Sequence, residues 1–317
     1  MTNTPIYAEL LSRALISVSG PDWRSFLQGL LTQDVETLSP GEARLAGLLT
    51  PQGRLLWDLF VMGRPDGAWL DVAREHREAI VQRLSLYRLR AKVEIGLEEA
   101  AVSALFEAQD PPPPGEVARS AGGGFHSDAA DSRFVEASER KPPRSASPTA
   151  PPKGEHLWIQ DPRLPALGQR GYAASTPEDA EVADEAAYDA HRLALGVPGP
   201  ADWGAEKTYP IEANFDLLHG IDFRKGCFVG QETTSRMKRR GQIKNRMLPI
   251  AFDGPPPAFG AEVLAGTLRA GEVLAGVEGR AMALLRLDRI GGELTVDGKP
   301  VRVERPGWMA EALGEDA

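Results

Sequence analysis

Thiols are almost absent from this sequence: Cys227 is the single cysteine among 317 residues. An internal disulfide is therefore impossible, and a chain so sparing of cysteine fits a reducing compartment. Long apolar runs are missing too, since none approaches the ~20 residues of a membrane span. The opening stretch "MTNTPIYAELLSRALISVSG" has no basic segment followed by an apolar block and a small-residue cleavage site, so no secretory signal is read. These absences lead to the expectation of a cytoplasmic protein that does not cross a membrane. Positive charge is in deficit, with 36 Lys and Arg against 45 Asp and Glu and a net charge of −9. That balance argues against direct nucleic-acid binding, which needs a net basic face. Histidine is scarce as well. His76, His126, His156, His191 and His219 show no metal-ligand spacing with each other or with the lone thiol, and no metal site is expected. The run "AGGGF" at 121–125 has neither strand nor helix around it and is not a phosphate loop.

What is present is an ordinary globular composition, 42% hydrophobic and 26% charged, long enough for roughly two domains. "RALISV" predicts a strand. In the following "GPDWRSFLQGLLTQDV", Pro21 suits a first helical position, and Trp23, Phe26, Leu27, Leu30 and Leu31 share one helical face. "GLLTPQGRLLWDLFVMG" predicts a hairpin broken at Pro51-Gln52-Gly53. "AWLDVA" reads as a strand, a helix from Arg74 to about Tyr87 buries Ile80, Leu84 and Tyr87, and "KVEI" and "VSALF" complete an α+β pattern. Residues 111–152 hold nine Pro, four Gly and six Ser, with Phe125 and Phe134 the only aromatics. Such a stretch buries too little apolar surface to offset its ordering entropy, so a disordered insertion is expected there. A helix is predicted from about Glu181 to Leu195, stopped by Gly196 with Pro198 just beyond. After Asn245, short strands between Gly-rich turns predict a small β-barrel, giving expected domains at 1–245 and 246–317.

The cysteine lies in "IEANFDLLHGIDFRKGCFVGQETTSRMKRRG", which predicts a helix, a turn at Gly220, a loop and a new helix from near Gly230. A helix N-terminus with Arg224 and Lys225 alongside favours thiolate over thiol, making Cys227 a candidate reactive group tuned by Lys225. The alternative is a small buried hydrophobe, a common fate of a free cysteine. Gly226 and Gly230 would let the backbone turn or approach a ligand, and Gln231 and Glu232 would cap the helix or bond a ligand's polar edge. The run "SRMKRRGQIKNR" at 235–246 carries six Lys or Arg and no acid. It reads as a solvated face, or as a holder of a folate glutamate tail, a phosphate-bearing partner or RNA; without interleaved aromatics the RNA reading is weaker.

"KGCFVGQE" at 225–232 resembles the signature of the YgfZ-type folate-binding proteins, relatives of the glycine-cleavage aminomethyltransferase (GcvT-like) superfamily. "VSGPDWRSFLQGLLTQDV", "GLLTPQGRLLWDLFV", "DPRLPALGQRGY", "HRLALGVP" and "YPIEANFD" are similar to further segments of that family, and only 111–152 finds no counterpart. The resemblance implies an aminomethyltransferase-like three-domain ring, two interleaved α+β domains plus a C-terminal β-barrel. It implies tetrahydrofolate as ligand and a role in assembly or repair of four-iron iron-sulfur clusters that supports client enzymes, tRNA-modifying ones among them. Cys227 and Lys225 are then the expected catalytic pair, with at most a transient cluster on the thiol. Gly226, Gly230, Gln231, Glu232, Glu212, Arg192 and Arg236 are expected near folate, Arg236 by way of its glutamate tail. Glu212 has an alternative as a solvated carboxylate, and Arg192 as a salt-bridge partner. The transferases carry "RLEAG" where this chain has "RLALG", so Ala194 replaces a pterin-contacting glutamate. Asp71, Glu75 and Glu78 offer no securely aligned equivalent of the transferase's aspartate. A maturation factor is therefore expected ahead of a tetrahydrofolate-dependent aminomethyl- or methyltransferase or demethylase. A non-catalytic scaffold docking an acidic partner is a third reading.

Overall fold

The computed structural model describes residues 4–107, 157–204, 206–241 and 243–314; the expected insertion at 111–152 lies outside them. The first strands are β1 (Pro5–Glu9) and β2 (Arg13–Ser19), followed by helix α1 (Trp23–Gln28). Then come β3 (Ala43–Leu49), β4 (Leu55–Arg64), β5 (Gly67–Ala73), α2 (Arg77–Arg88), β6 (Glu94–Glu98) and β7 (Val102–Glu107). The middle of the chain gives β8 (Leu157–Gln160), β9 (Gln169–Tyr172), β10 (Glu181–Ala183), α3 (Glu185–Ala194) and α4 (Gln231–Arg240). Last are β11 (Asn245–Ala251), β12 (Glu262–Ala265), β13 (Leu268–Val277), β14 (Arg280–Arg286), β15 (Leu294–Val296), β16 (Lys299–Val303) and α5 (Ala310–Leu313).

These build two five-stranded sheets, in the orders β3-β4-β5-β2-β6 and β10-β1-β7-β9-β8, and a closed barrel, β11-β14-β13-β12-β15-β16. The chain starts in the second sheet with β1, builds the whole first sheet, and returns to the second at β7. The two α+β parts are interleaved for that reason. Helices α1 and α2 set Trp23, Phe26, Leu27, Ile80 and Leu84 against Ile16, Val18 and Val72 of the first sheet. β4 reads as a nearly continuous apolar run because both its faces are covered. A second core, with Leu49, Phe60, Phe215 and Phe228, reaches Met247 and Met282 of the barrel.

A polar network joins the two sheets. Asp71 of β5 is fully buried; Arg13 of β2 donates to its Oδ1 at 2.7 Å and Arg170 of β9 to its Oδ2 at 3.0 Å. Arg13 also reaches Asp58 of β4 at 3.1 Å, while Arg163 donates to Asp161 at 2.7 Å and to the Tyr188 hydroxyl of α3 at 2.7 Å. The guanidiniums of Arg13, Arg163 and Arg170 surround the Phe60 ring at 5.6, 5.0 and 4.1 Å from its centroid. Burial alone would raise the Asp71 carboxyl, but Arg13 and Arg170 overcome it and hold it below the ordinary carboxylate value.

Local differences from the sequence reading have plain causes. The first helix ends at Gln28, capped by Gly29, and Leu30 and Leu31 are buried beyond it. The stretch expected as a helix before Gly220 is a series of turns, because Asn214 and His219 take positive φ of 61° and 57°. The helix expected from Glu181 begins at Glu185, with the Asp184 carboxylate accepting the Ala187 N–H; residues 181–183 instead pair in parallel with β1. β1 itself was not read from the sequence.

Candidate functional site

Cys227 is exposed, which removes the reading of it as a buried hydrophobe. Its loop is held on both sides. Before it, Lys225 donates all three ammonium protons to backbone carbonyls, Gln28 O at 2.8 Å, Leu31 O at 2.7 Å and Gln33 O at 2.8 Å. Burial pulls the Lys225 ammonium down to about 8, against the opposing pull of Asp34, Asp222 and Glu36. The Lys225 donors clamp the loop to the end of α1 and the chain that follows it, so any effect of Lys225 on the thiol is through its charge and not through a hydrogen bond from a free donor. Arg224 is exposed, and its backbone N–H donates to Asp222 at 2.7 Å.

After the cysteine, Phe228 is buried and Val229 N–H donates to Gly29 O at 3.1 Å. Gly230 then caps α4 with φ +81°, and a Cβ there would lie 2.5 Å from Thr50 O. Gly53, in the β3–β4 turn, also has φ +81°, and its Cβ would come within 2.9 Å of Gly230 O. The Pro-Gln-Gly hairpin and the cysteine loop thus meet backbone to backbone, which neither motif announces alone. Gly226 has no atom within 4 Å of where a Cβ would stand, so only one of the two loop glycines is sterically required. Gln231 and Glu232 do not cap: α4 has no side-chain cap. Glu232 is exposed in its first turn, 3.8 Å from Arg236.

Two other expected contacts have protein partners of their own. The Glu212 carboxylate accepts from Tyr209 N–H at 3.0 Å and Asn245 Nδ2 at 3.1 Å, so it is neither free nor simply solvated. Arg192 is buried, donating to Val197 O at 2.7 Å and pairing with Asp202 at 3.2 Å. Asp202 in turn accepts from Ala275 N–H of β13 at 3.2 Å, tying α3 to the barrel. A cavity of about 480 Å³ borders Arg192 and is also lined by Ser12, Arg74, Glu75, Asp189 and Pro200. That size suits a small organic ligand. Exposed Arg74 and Glu75 bring one cation and one carboxylate to the cavity, with Arg74 Nε donating to Leu11 O at 2.6 Å. None of residues 225–232, nor Glu212 or Arg236, lines it. Among the described residues no group of three or more His, Cys, Asp or Glu is placed to hold a metal ion.

Residues 244–311 match the family described as the CAF17 C-terminal beta-barrel domain. An iron-sulfur cluster assembly factor IBA57 homolog, mitochondrial, of Pyricularia oryzae is 30% identical over 93% of this chain and 75% of its own length. The chain belongs to the IBA57 family. Homologs of the same name from Neurospora crassa and Mycosarcoma maydis are 29% and 32% identical, over 80% and 79% of this chain. The chain spans only 56% and 59% of the length of those two relatives. Among solved structures, the glycine cleavage system aminomethyltransferase T from Bartonella henselae aligns over 96% of this chain and 86% of its own, with a TM-score of 0.70 at 17% identity. The aminomethyltransferase fold with its C-terminal barrel is therefore the fold of this family member. The cytoplasmic expectation is corrected, because these IBA57 relatives are named as mitochondrial. Scarcity of cysteine reports a reducing environment, not a particular compartment, and could not tell the two apart.

Proposed function

We propose that this protein is a folate-binding factor of YgfZ type for iron-sulfur cluster assembly or repair, with Cys227 as its working thiol and a four-iron cluster as cargo. The observation that carries this is the exposure of the chain's single thiol on a loop fixed by Lys225 and Gly230. A thiolate is a cluster ligand, and an exposed one held in place is able to exchange cargo. Iron-sulfur carrier or client proteins are the partners, and enzymes that methylthiolate tRNA are among the clients. Tetrahydrofolate would occupy the cavity beside Arg192, where exposed Glu75 is a carboxylate for the pterin N–H groups and Arg74 a cation for the glutamate tail, while Asp189 stays paired with Arg192. Bound there, it would supply a one-carbon acceptor. A one-carbon transferase is the weaker reading. Its proton transfer needs a carboxylate free to reach substrate; Asp71 is spent on Arg13 and Arg170, and Glu75 is the pterin's acceptor in this reading.

The test is a strain whose own copy carries Cys227→Ala at matched protein level, assayed under oxidative stress for a four-iron enzyme and for tRNA methylthiolation. Both fall if the proposal holds; wild-type values for both would sink it. Calorimetric titration of tetrahydrofolate into the full chain is expected to show binding that Arg74→Ala weakens, and unchanged binding would remove the cavity as the folate site.

A further inference from the structure

The basic run after the cysteine loop is not absorbed by the folate cavity. Arg224, Arg236, Lys238, Arg239, Arg240 and Lys244 are all exposed, and Glu232 is the only acid between residues 224 and 244. This stands against a chain net charge of −9. Two of the six make long ion pairs, Arg236 with Glu232 at 3.8 Å and Lys238 with Asp216 at 3.9 Å. The other four have no carboxylate within salt-bridge distance among the described residues.

Helix α4 does not trail away from the thiol. The Lys238 ammonium lies 5.5 Å from the centroid of the Phe223 ring, four residues before Cys227. Asp216, a little further upstream, is held at 2.9 Å by buried Arg246 from the other side of the helix's connection to β11. The helix therefore packs along the segment that leads into the cysteine loop, and its ten residues extend only about 15 Å. A ten-residue helix that starts four residues after the thiol is short enough to share with it the ~800 Å² that one partner contributes to an ordinary interface.

The charge pattern selects the partner. A single-stranded nucleic acid would want aromatic platforms, and Phe228 is buried while Phe223 lies half-buried beneath Lys238. An extended polyanion would also run onto the acidic remainder of the chain. A compact acidic protein face meets only the local positive field, which raises its encounter rate and sets its orientation. We propose that the exposed side of α4, with Arg224 and Lys244, is a docking surface that steers an acidic protein face onto Cys227. This rests on the reading of Cys227 as the working thiol.

The test uses the full chain and two synthetic peptides, one a run of glutamates and one a run of lysines, each bearing a cysteine activated as its 2-thiopyridyl disulfide. The Cys227 thiolate attacks the peptide sulfur, forms a mixed disulfide and expels 2-thiopyridone, whose absorbance is followed. With one cysteine in the chain, the signal reports this site alone. At low salt the glutamate peptide is expected to react about tenfold faster than the lysine peptide, with the ratio collapsing at about 0.5 M salt. It should also collapse in Arg239→Glu/Arg240→Glu/Lys244→Glu, while the rate with neutral dithiodipyridine stays unchanged and shows the variant's thiol site intact. Rates indifferent to peptide charge, or a ratio retained in the triple variant, overturn the proposal. A single-stranded RNA carrying the same activated disulfide is the third probe; if it outpaces the glutamate peptide, the surface is a nucleic-acid face and the proposal fails. Charge-dependent exchange together with normal iron-sulfur enzymes in Cys227→Ala cells would sink the proposed function and leave the docking surface standing.

Discussion

Gly226 and Gly230 flank the same cysteine and look interchangeable in the sequence, yet alanine is expected to be tolerated at one and not at the other. At Gly230 the backbone is left-handed, φ +81°, a conformation that costs an L-residue about 1–2 kcal/mol. The added methyl would also stand 2.5 Å from Thr50 O and 3.0 Å from the Gly53 Cα. Both are main-chain neighbours that no rotamer change can move aside, and forcing them apart costs another ~1–3 kcal/mol. Loss of unfolded-state freedom returns about 0.4–1 kcal/mol. The net for Gly230→Ala is a destabilisation of about 1–5 kcal/mol, centred on ~3 kcal/mol. At Gly226 neither penalty applies, so Gly226→Ala is neutral or slightly stabilising. Urea unfolding measures both; with a slope near ~3 kcal/mol/M, the Gly230 variant's midpoint drops by about 1 M. Because the displaced contact joins the cysteine loop to the β3–β4 turn, hydrogen exchange should quicken in residues 50–53 and 227–231 of this variant alone. Equal midpoints for the two variants would refute the reasoning, since it rests wholly on the different surroundings of two identical residues.

Asp71→Asn leaves Arg13 and Arg170 buried without their shared charge and is expected to cost about 3–5 kcal/mol in denaturant unfolding; a cost below ~1 kcal/mol would show that the network does not hold the sheets together. Asp71 and Asp161 both titrate below their ordinary value of 3.8 in the folded chain. The unfolded chain therefore binds more protons in that window, so their stabilisation is complete above about pH 5 and lost as pH falls through 3.8 and below. Acid unfolding of wild type followed by circular dichroism should show this limb, and Asp71→Asn should flatten it. Lys225→Met removes the donor shared by three carbonyls and should cost about 2–3 kcal/mol, with faster hydrogen exchange at 222–230 and unchanged exchange in the barrel; uniform exchange rates across the chain would deny the clamp.

Much of the fold was legible locally. Strand β2, the hairpin of β3 and β4, the helix after β5 and the barrel strands each carry their own period and turn residues, and period and turn chemistry act over a few residues. The five residues of β1 are too few to show a period of their own. Its strand character comes from β7 and β10, far away in sequence. The turns at 210–219 were misread because a helical spacing of Ile211, Phe215 and Leu218 does not reveal that Asn214 will go left-handed. Charged residues inside apolar strands, Arg13 and Asp71 above all, were a signal of buried pairing that could have been used.

By itself the sequence determined that one thiol exists, that it precedes a helix rich in cations, and that an α+β chain ends in a barrel, since these depend on residue identity and short-range spacing. Only the tertiary structure decided which groups the thiol's neighbours serve. Lys225 gained a role as a clamp, Gly230 separated from Gly226, Glu212 and Arg192 were taken up by Asn245 and Asp202, and three arginines met around Phe60. The physical reason is the same in each case: a hydrogen bond or a close backbone approach is made between residues brought together by sheet pairing and core burial, and no local pattern encodes which distant carbonyl or carboxylate will stand opposite.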